Sequence, residues 1–408
     1  MLAIKENIIT ILVVLTILMY LSFTAYLKYK LKFWITQPVF HMYNLFYWIY
    51  HVGVIYQDIP TIQTITQKGA SKYLNVYHIK THNVEDIKDT VLCTHICNFI
   101  KTNYIFQDKD SHSAEYLPSQ KDIMEYYYST NHPSFFSVYE TPKILFEKGE
   151  AVTTIEELNG IICARSLNIT LKKMPSFPTY YIDNLCIDPL QRKSGLAPQM
   201  IQTHCYNLRQ NNKKIQTCLF KREGQLNALV PLVAFETYCF RLTNAMAKAT
   251  FNTVIEIGVQ QLSLFHDFLQ TQKQRFECTV FPDLSNLLNL IKKENLLLYG
   301  IINRQGQLLA SYIFRPLNLT YSGEKAIECI NILIANKNDD DINAVLTAVK
   351  KKSPFELLLI EDTADAKCSI DYLISNKASI QFKSPTAFFL YNYATRPLAK
   401  SGLALMIY

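Results

Sequence analysis

The chain has 408 residues, 49% of them hydrophobic, which allows two domains of ordinary size or one large double domain with a sizeable core. Its net charge of +7, from 41 Lys and Arg against 34 Asp and Glu, suits acidic small molecules or a membrane surface and is too mild to point to nucleic acid. Ten cysteines are scattered with no Cys-x-x-Cys pair. Cys93 and Cys97 share one face of a helix, but no second ligand pair lies near, so no metal is expected. Free thiols in a reducing compartment fit better.

Residues 8–27 form an uncharged apolar run of about twenty residues, long enough to span a bilayer as a helix. Lys5 and Glu6 precede it, and Lys28, Lys30 and Lys32 follow it. No small-residue cleavage site follows, so residues 1–30 read as a retained anchor. The lysines on its C-terminal side predict a single-pass protein whose body faces the cytoplasm. Residues 39–56, "VFHMYNLFYWIYHVGVIY", contain no Asp, Glu, Lys or Arg and are rich in Tyr, Phe and Trp. They fit a second membrane element at the interface and fit a buried core segment equally well.

In the body, residues 74–79 read as a short strand and 84–104 as a helix. Strands are expected at 135–139, 160–164 and 180–187. A helical period begins at Leu196, with Pro198 tolerable because it falls in the first turn. A strand at 215–220 follows. A second cycle has a helix at 287–291, a strand at 296–302, a hairpin turn at Asn303 to Gly306 and a strand at 308–314. It continues with a strand at 326–334, a helix at 342–349, and strands at 355–360 and 388–393. The order strand–strand–helix–strand thus occurs twice. This describes a mixed α/β chain of two similar halves, divided near residues 222–250.

The informative stretch is "YYIDNLCIDPLQRKSGLAPQM", residues 180–200. A strand runs into a basic turn, Gln191 to Gly195, that opens a helix. Unpaired N–H groups and the helix dipole make such a start an anion site. Gly195 permits close backbone approach, and Arg192 and Lys193 add charge. A pyrophosphate is the natural ligand, although a solvated turn has the same composition.

Arg192 to Ala197 fits R-x-x-G-x-A and resembles the pyrophosphate loop of the GNAT acyltransferase superfamily. Three further segments resemble glycylpeptide N-myristoyltransferases. "KFWITQPV" (residues 32–39) is similar to that family's F-W-x-T-Q-P-V. "DNLCIDPLQRKSGLAP" resembles "NFLCVHKKLRSKRVAP", and "FFLYNY" (residues 388–393) resembles "YYLYNW". Order, spacing and tail length also agree. The resemblance implies two tandem GNAT-like halves, each a mixed sheet flanked by helices, after the N-terminal transmembrane helix. It implies an anchor over 1–30, an acyl-CoA half over 31–222 and a peptide-side half over 223–408.

It also implies roles. Phe33 and Trp34 match contacts to the CoA phosphates. Arg192, Lys193, Ser194 and Gly195 form the phosphate loop, with Leu185, Ile187, Leu196 and Ala197 around it. The backbone N–H groups of Asn184 and Leu185 match an oxyanion hole, and Tyr408 offers its terminal carboxylate as the base. Tyr104 and Tyr116 match the peptide side. Acyl-CoA, by the resemblance myristoyl-CoA, is then a co-substrate, and no cofactor is bound permanently. The acceptor is an N-terminal glycine of a protein or peptide.

Departures lie on the peptide side. Gln107 and Lys109 replace carboxylates, and His112 and Ala114 replace aromatics. Phe240 stands where the family has histidine, and "CLFKREG" replaces the V-Y-T-A-G strand end. Two other readings therefore stay open. One is a GNAT-type enzyme with another donor or amine acceptor. The other is a silent acyl-CoA-binding homologue at a membrane. After the second cycle's strand comes an Asp-rich turn ending at Asp341, which would repel pyrophosphate, so one CoA per chain is expected.

Overall fold

A computed structural model describes residues 2–50, 53–67, 71–104, 114–147, 150–224, 229–242, 253–336 and 341–407. Fifteen strands form one continuous sheet. They are β1 (Ile79–Asn83), β2 (Ala114–Tyr116), β3 (Phe135–Glu147), β4 (Glu150–Leu171), β5 (Phe177–Ile187), β6 (Cys218–Glu223), β7 (Val233–Arg241) and β8 (Thr253–Glu256). Then come β9 (Cys278–Phe281), β10 (Leu297–Ile302), β11 (Leu308–Tyr321), β12 (Glu324–Ile334), β13 (Leu357–Glu361), β14 (Ser379–Tyr391) and β15 (Leu403–Leu405). The helices used below are α1 (Leu2–Leu31), α2 (Val91–Asn103), α3 (Leu196–Asn211), α4 (Leu262–Lys273), α5 (Leu284–Lys292), α6 (Ile342–Lys352) and α7 (Ala366–Ser375).

The two halves repeat one plan. In the first, the antiparallel meander β3–β4–β5 leads through α3 to β6, which returns parallel to β5. In the second, β10–β11–β12 leads through α6 to β13, parallel to β12. The halves then trade a strand. β7 follows β6 in the chain but pairs with β13, and β14 follows β13 but pairs with β6. β7 and β14 pair with each other and close the seam.

Period and composition explain the elements. β12 is buried at nine successive positions and, covered on both faces, shows no alternation. β7 alternates buried and exposed residues along its first half. α3 starts at Gly195, whose φ of +91° is open to glycine at little cost. Pro198 sits in its first turn, where no N–H partner is lost.

Some boundaries differ from the sequence expectation. The strand expected at 74–79 begins at Ile79, where pairing with β3 begins. The helix expected at 84–104 is two, because the Thr90 side chain caps Cys93 N–H and starts α2 afresh. Cys93 and Cys97 are buried core thiols on that helix.

α1 carries the one described stretch long and apolar enough to cross a bilayer, Ile8–Leu31. It exposes apolar side chains on all sides from Ile8 to Phe23, while Leu27 and Leu31 pack against the body. The 39–56 region divides. Val39, Phe40 and His41 are core residues, whereas Met42, Leu45, Phe46, Ile49 and Tyr50 are exposed.

Candidate active site

The parallel register of β5 and β6 runs only from Tyr180 and Cys218 to Ile182 and Phe220. Beyond it the strands diverge, and a cleft of about 560 Å³ opens between Asp183–Asn184–Leu185 on one side and Lys221–Arg222–Glu223 on the other. Ile201 and Cys205 of α3 contribute to its wall. The second half closes it from across. Arg315 to Leu319 of β11 face the cleft, and β2 brings Tyr116 there by pairing with Leu319–Tyr321.

β5 bulges at the mouth. Ile161 pairs with Cys186 and Cys163 with Asp183, so Asn184 and Leu185 together oppose Ile162. Asn184 has φ +47°, a left-handed value that Asn tolerates better than most residues. A bulge takes backbone groups out of the ladder, here beside the cleft. The Asn184 side chain donates to Tyr127 Oη at 2.6 Å, which fixes the bulge from outside.

Tyr127 Oη in turn donates to Asp183. Arg165 Nε lies 3.6 Å from the other Asp183 oxygen, and its guanidinium sits against the rings of Tyr126 and Tyr181 at 5.6 and 5.2 Å. Burial raises the Asp183 carboxyl above its ordinary value, and Arg165 and Tyr127 oppose that rise.

Opposite stands a second charged set. Lys221 Nζ lies 2.7 Å from Glu361, 3.1 Å from Glu223 and 3.8 Å from Glu328. Arg315 Nε donates to Glu328 at 3.0 Å. Burial alone would strip the Lys221 proton, but Glu361, Glu328 and Glu223 outweigh it and hold the ammonium well above its ordinary value. Burial also acts on Glu328, where Arg315 and Lys221 prevail and keep it ionised. Burial raises the Glu361 carboxyl above its ordinary value, and Lys221 opposes that rise. Asp122, Asp183 and Glu223 line the cleft with Lys221, Arg222 and Arg315, so its lining acids and bases are equal in number.

The structure brings Trp34, Tyr104, Tyr116, Asn184 and Leu185 together in the cleft lining. Trp34 stacks on Phe220 at 5.6 Å, and Tyr104 meets Tyr116 at 5.6 Å. Phe33, Ile187 and Leu196 are buried, and Ala197 is half-buried at the start of α3. Lys193, Ser194 and Gly195 form an exposed turn outside the cleft lining, at the end of the same strand-to-helix connection. Arg192 is a brace as well as a charge. Its Nε donates to Ile187 O at 3.1 Å and its terminal nitrogen to Asn103 O at 3.0 Å. Phe240 is fully buried in β7, away from the cleft. Tyr408, Gln107, Lys109 and His112 lie outside the described residues.

Sequence reasoning missed Arg165, Asp183, Lys221, Arg315, Glu328 and Glu361. Arg165, Asp183, Arg315 and Glu328 are lone charges inside apolar strand runs, as in "IICARSL", "SYIFRPL" and "AIECINILI", while Lys221 and Glu361 open charged clusters at strand ends. A charge there is costly unless partnered, and that was the available signal.

The duplicated α/β sheet has the fold of the N-myristoyltransferases, as superposition shows. The chain superposes on Saccharomyces cerevisiae N-myristoyltransferase with bound myristoyl-CoA at a TM-score of 0.65 and 14% identity, covering 92% of this chain and 99% of that one. The same yeast protein with bound myristoyl-CoA and inhibitors gives 0.66 and 15%, covering 90% and 91%. No family model and no curated protein matches the sequence.

Proposed function

We propose that the chain is an N-acyltransferase that moves a fatty acyl group, myristoyl, from acyl-CoA to the N-terminal glycine of a protein or peptide. The observation that carries the reading is the splay of β5 from β6, with the bulged Asn184–Leu185 backbone at its mouth and the basic, glycine-capped start of α3 on the same connection. Acyl-CoA lays its phosphates on Arg192 to Gly195, with Phe33 and Trp34 alongside, and its thioester on the bulge.

The amine attacks the thioester carbon. As the C–N bond forms, the carbonyl oxygen gains charge, which the Asn184 and Leu185 N–H groups receive. The C–S bond then breaks, the second proton of the attacking nitrogen passes to the departing sulfur, and CoA leaves as thiol. One oxyanion donor is worth about 3–4 kcal/mol in comparable enzymes. The incoming ammonium loses its proton to the Tyr408 carboxylate. The peptide amine enters on the side of Tyr104 and Tyr116, where Glu223 lines the cleft and can accept a hydrogen bond from it. α1 anchors the body, on the cytoplasmic face, to the membrane.

The test is transfer of myristate from myristoyl-CoA to glycine-starting peptides by the full-length protein in vesicles, with the N-acetylated peptides as controls. Product on free glycine peptides alone supports the proposal. A second reading, a silent acyl-CoA binder, draws on Lys221–Arg222–Glu223 standing where the family carries V-Y-T-A-G. Binding without transfer to any peptide decides for it.

A further inference from the structure

We propose that the exposed face of residues 42–50 is a membrane seat, which inserts into the headgroup–acyl boundary of the leaflet on the body's side. The body then rests on the bilayer and is not held off it on a stalk. The proposal rests on reading α1 as a membrane helix, a reading that has its own readout below.

The first observation is composition set against burial. No charged residue occurs between Lys32 and Asp58. Within that stretch Leu45, Phe46, Ile49 and Tyr50 are 55, 60, 62 and 57% exposed, and Met42 and Trp48 are also exposed. The patch is built and not frayed. Phe40 beneath it is buried and meets the Tyr47 and Trp48 rings at 5.5 and 5.0 Å. Arg396 donates to Ile49 O at 3.0 Å, and Trp48 Nε1 donates to Met42 O at 3.0 Å. The backbone polar groups on these contacts are satisfied inside the protein, as a bilayer boundary demands.

The second observation is position. Tyr20 Oη of α1 donates to Tyr43 O at 2.8 Å. Tyr20 precedes Leu27, the end of the uncharged run and the first helix residue buried against the body, by seven residues. At a rise of about 1.5 Å per residue the patch is therefore pinned roughly 10 Å back along the helix from that end. The run of residues 8–27 is about 30 Å long, which matches a hydrocarbon core of about 30 Å. A surface fixed that far back beside a spanning helix lies at bilayer depth and not in water. Its composition of Tyr, Trp, Phe, Leu and Ile is what that depth favours.

Trp48 is the reporter. Only two tryptophans occur, and Trp34 lies in the cleft stacked on Phe220. The full-length Trp34→Phe variant is placed in phosphatidylcholine vesicles containing some phosphatidylserine, with lipids brominated near the glycerol end of the acyl chains. Trp48 emission is expected to be lost to these lipids and to be shielded from aqueous acrylamide. Wild type minus Trp48→Phe gives the same signal without altering the cleft. Phe46→Asp with Ile49→Asp should abolish the bromolipid quenching. Acrylamide-accessible Trp48 with no bromolipid quenching, in protein that stays pelleted in alkaline carbonate, overturns the seat and leaves the anchor standing. Quenching in protein that carbonate releases overturns the anchor and supports the patch as a peripheral contact. Release together with no quenching overturns both.

Discussion

The two halves of the sheet have the same plan and opposite fates. In the first, β5 and β6 part after Ile182 and Phe220 and leave an open cleft. In the second, β12 and β13 pair from Ala326 and Leu357 to Cys329 and Ile360, and then also part. That gap is filled by the chain's own C-terminal segment. Asn331 donates to Leu405 O at 2.7 Å, Ala364 N–H to Lys400 O at 3.1 Å, and Met406 packs among Ile330, Leu333 and Ala364. The helix starts differ in the same sense. α3 opens on Lys193, Ser194 and Gly195, whereas α6 opens on Asp341, whose carboxylate caps Ala344 N–H and opposes a polyphosphate. A duplicated fold therefore does not give a duplicated site, because one splay is sealed from within.

The largest expected effect would break the charged wall of the open splay. Lys221→Met leaves Glu361 and Glu328 facing each other in the interior and should cost about 3–5 kcal/mol of stability, read by chemical denaturation. Adding Glu361→Gln should restore part of the loss. A single variant as stable as the wild type would show that the wall is not held by this ammonium.

Next comes the segment that fills the closed splay and, by the proposal, also serves the open one. Amidating the Tyr408 carboxylate should lower acyl transfer at least ~100-fold, about 2.7 kcal/mol, with acyl-CoA affinity unchanged. Equal rates before and after amidation would remove the terminal base and turn attention to Asp183.

A finer distinction tests the bulge. Asn184→Val forces a β-branched residue into a left-handed conformation, a strain of about 1–2 kcal/mol, and should slow transfer about tenfold. Asn184→Gly accepts that φ and should stay near the wild-type rate although it loses the bond to Tyr127. Equal losses in both would locate the effect in the side chain and not in the backbone.

The smallest effect concerns what makes the two helix starts unlike. Arg192→Glu with Lys193→Glu should weaken acyl-CoA about tenfold by calorimetry, about 1.4 kcal/mol. Lys193→Glu alone should account for part of it without disturbing the Arg192 brace. Unchanged affinity in both variants would mean that the phosphates lie elsewhere.

What could be read in the sequence was whatever local pattern governs. The β5–turn–α3 unit, the hairpin turn after β10 and the apolar α1 all appear where spacing and turn residues put them. β7, α4 and α7 escaped. β7 falls in a stretch that reads as a divide, and its pairing partners, β13 and β14, lie more than a hundred residues on. The cleft was half legible. Asn184, Leu185, Tyr104, Tyr116 and Trp34 came from short resemblances. Lys221, Arg315, Glu328 and Glu361 meet only through the pairing of both halves, which no short window contains. The filling of the second splay by residues 400–406 is long-range for the same reason.

The traded strands have a consequence for how the chain is made. β6 and β7 lie close in sequence, yet the strand that separates and joins them, β14, begins roughly 155 residues after β6 ends. At about 5–20 residues per second the ribosome needs roughly 8–30 s to supply it. For that interval both strands present bare hydrogen-bonding edges, which invite pairing with other chains. The first half cannot complete itself during synthesis, however good its local sequence. The nascent chain must be shielded until its last tenth emerges, and α1, in the membrane role proposed for it, would hold the chain beside a bilayer while it waits.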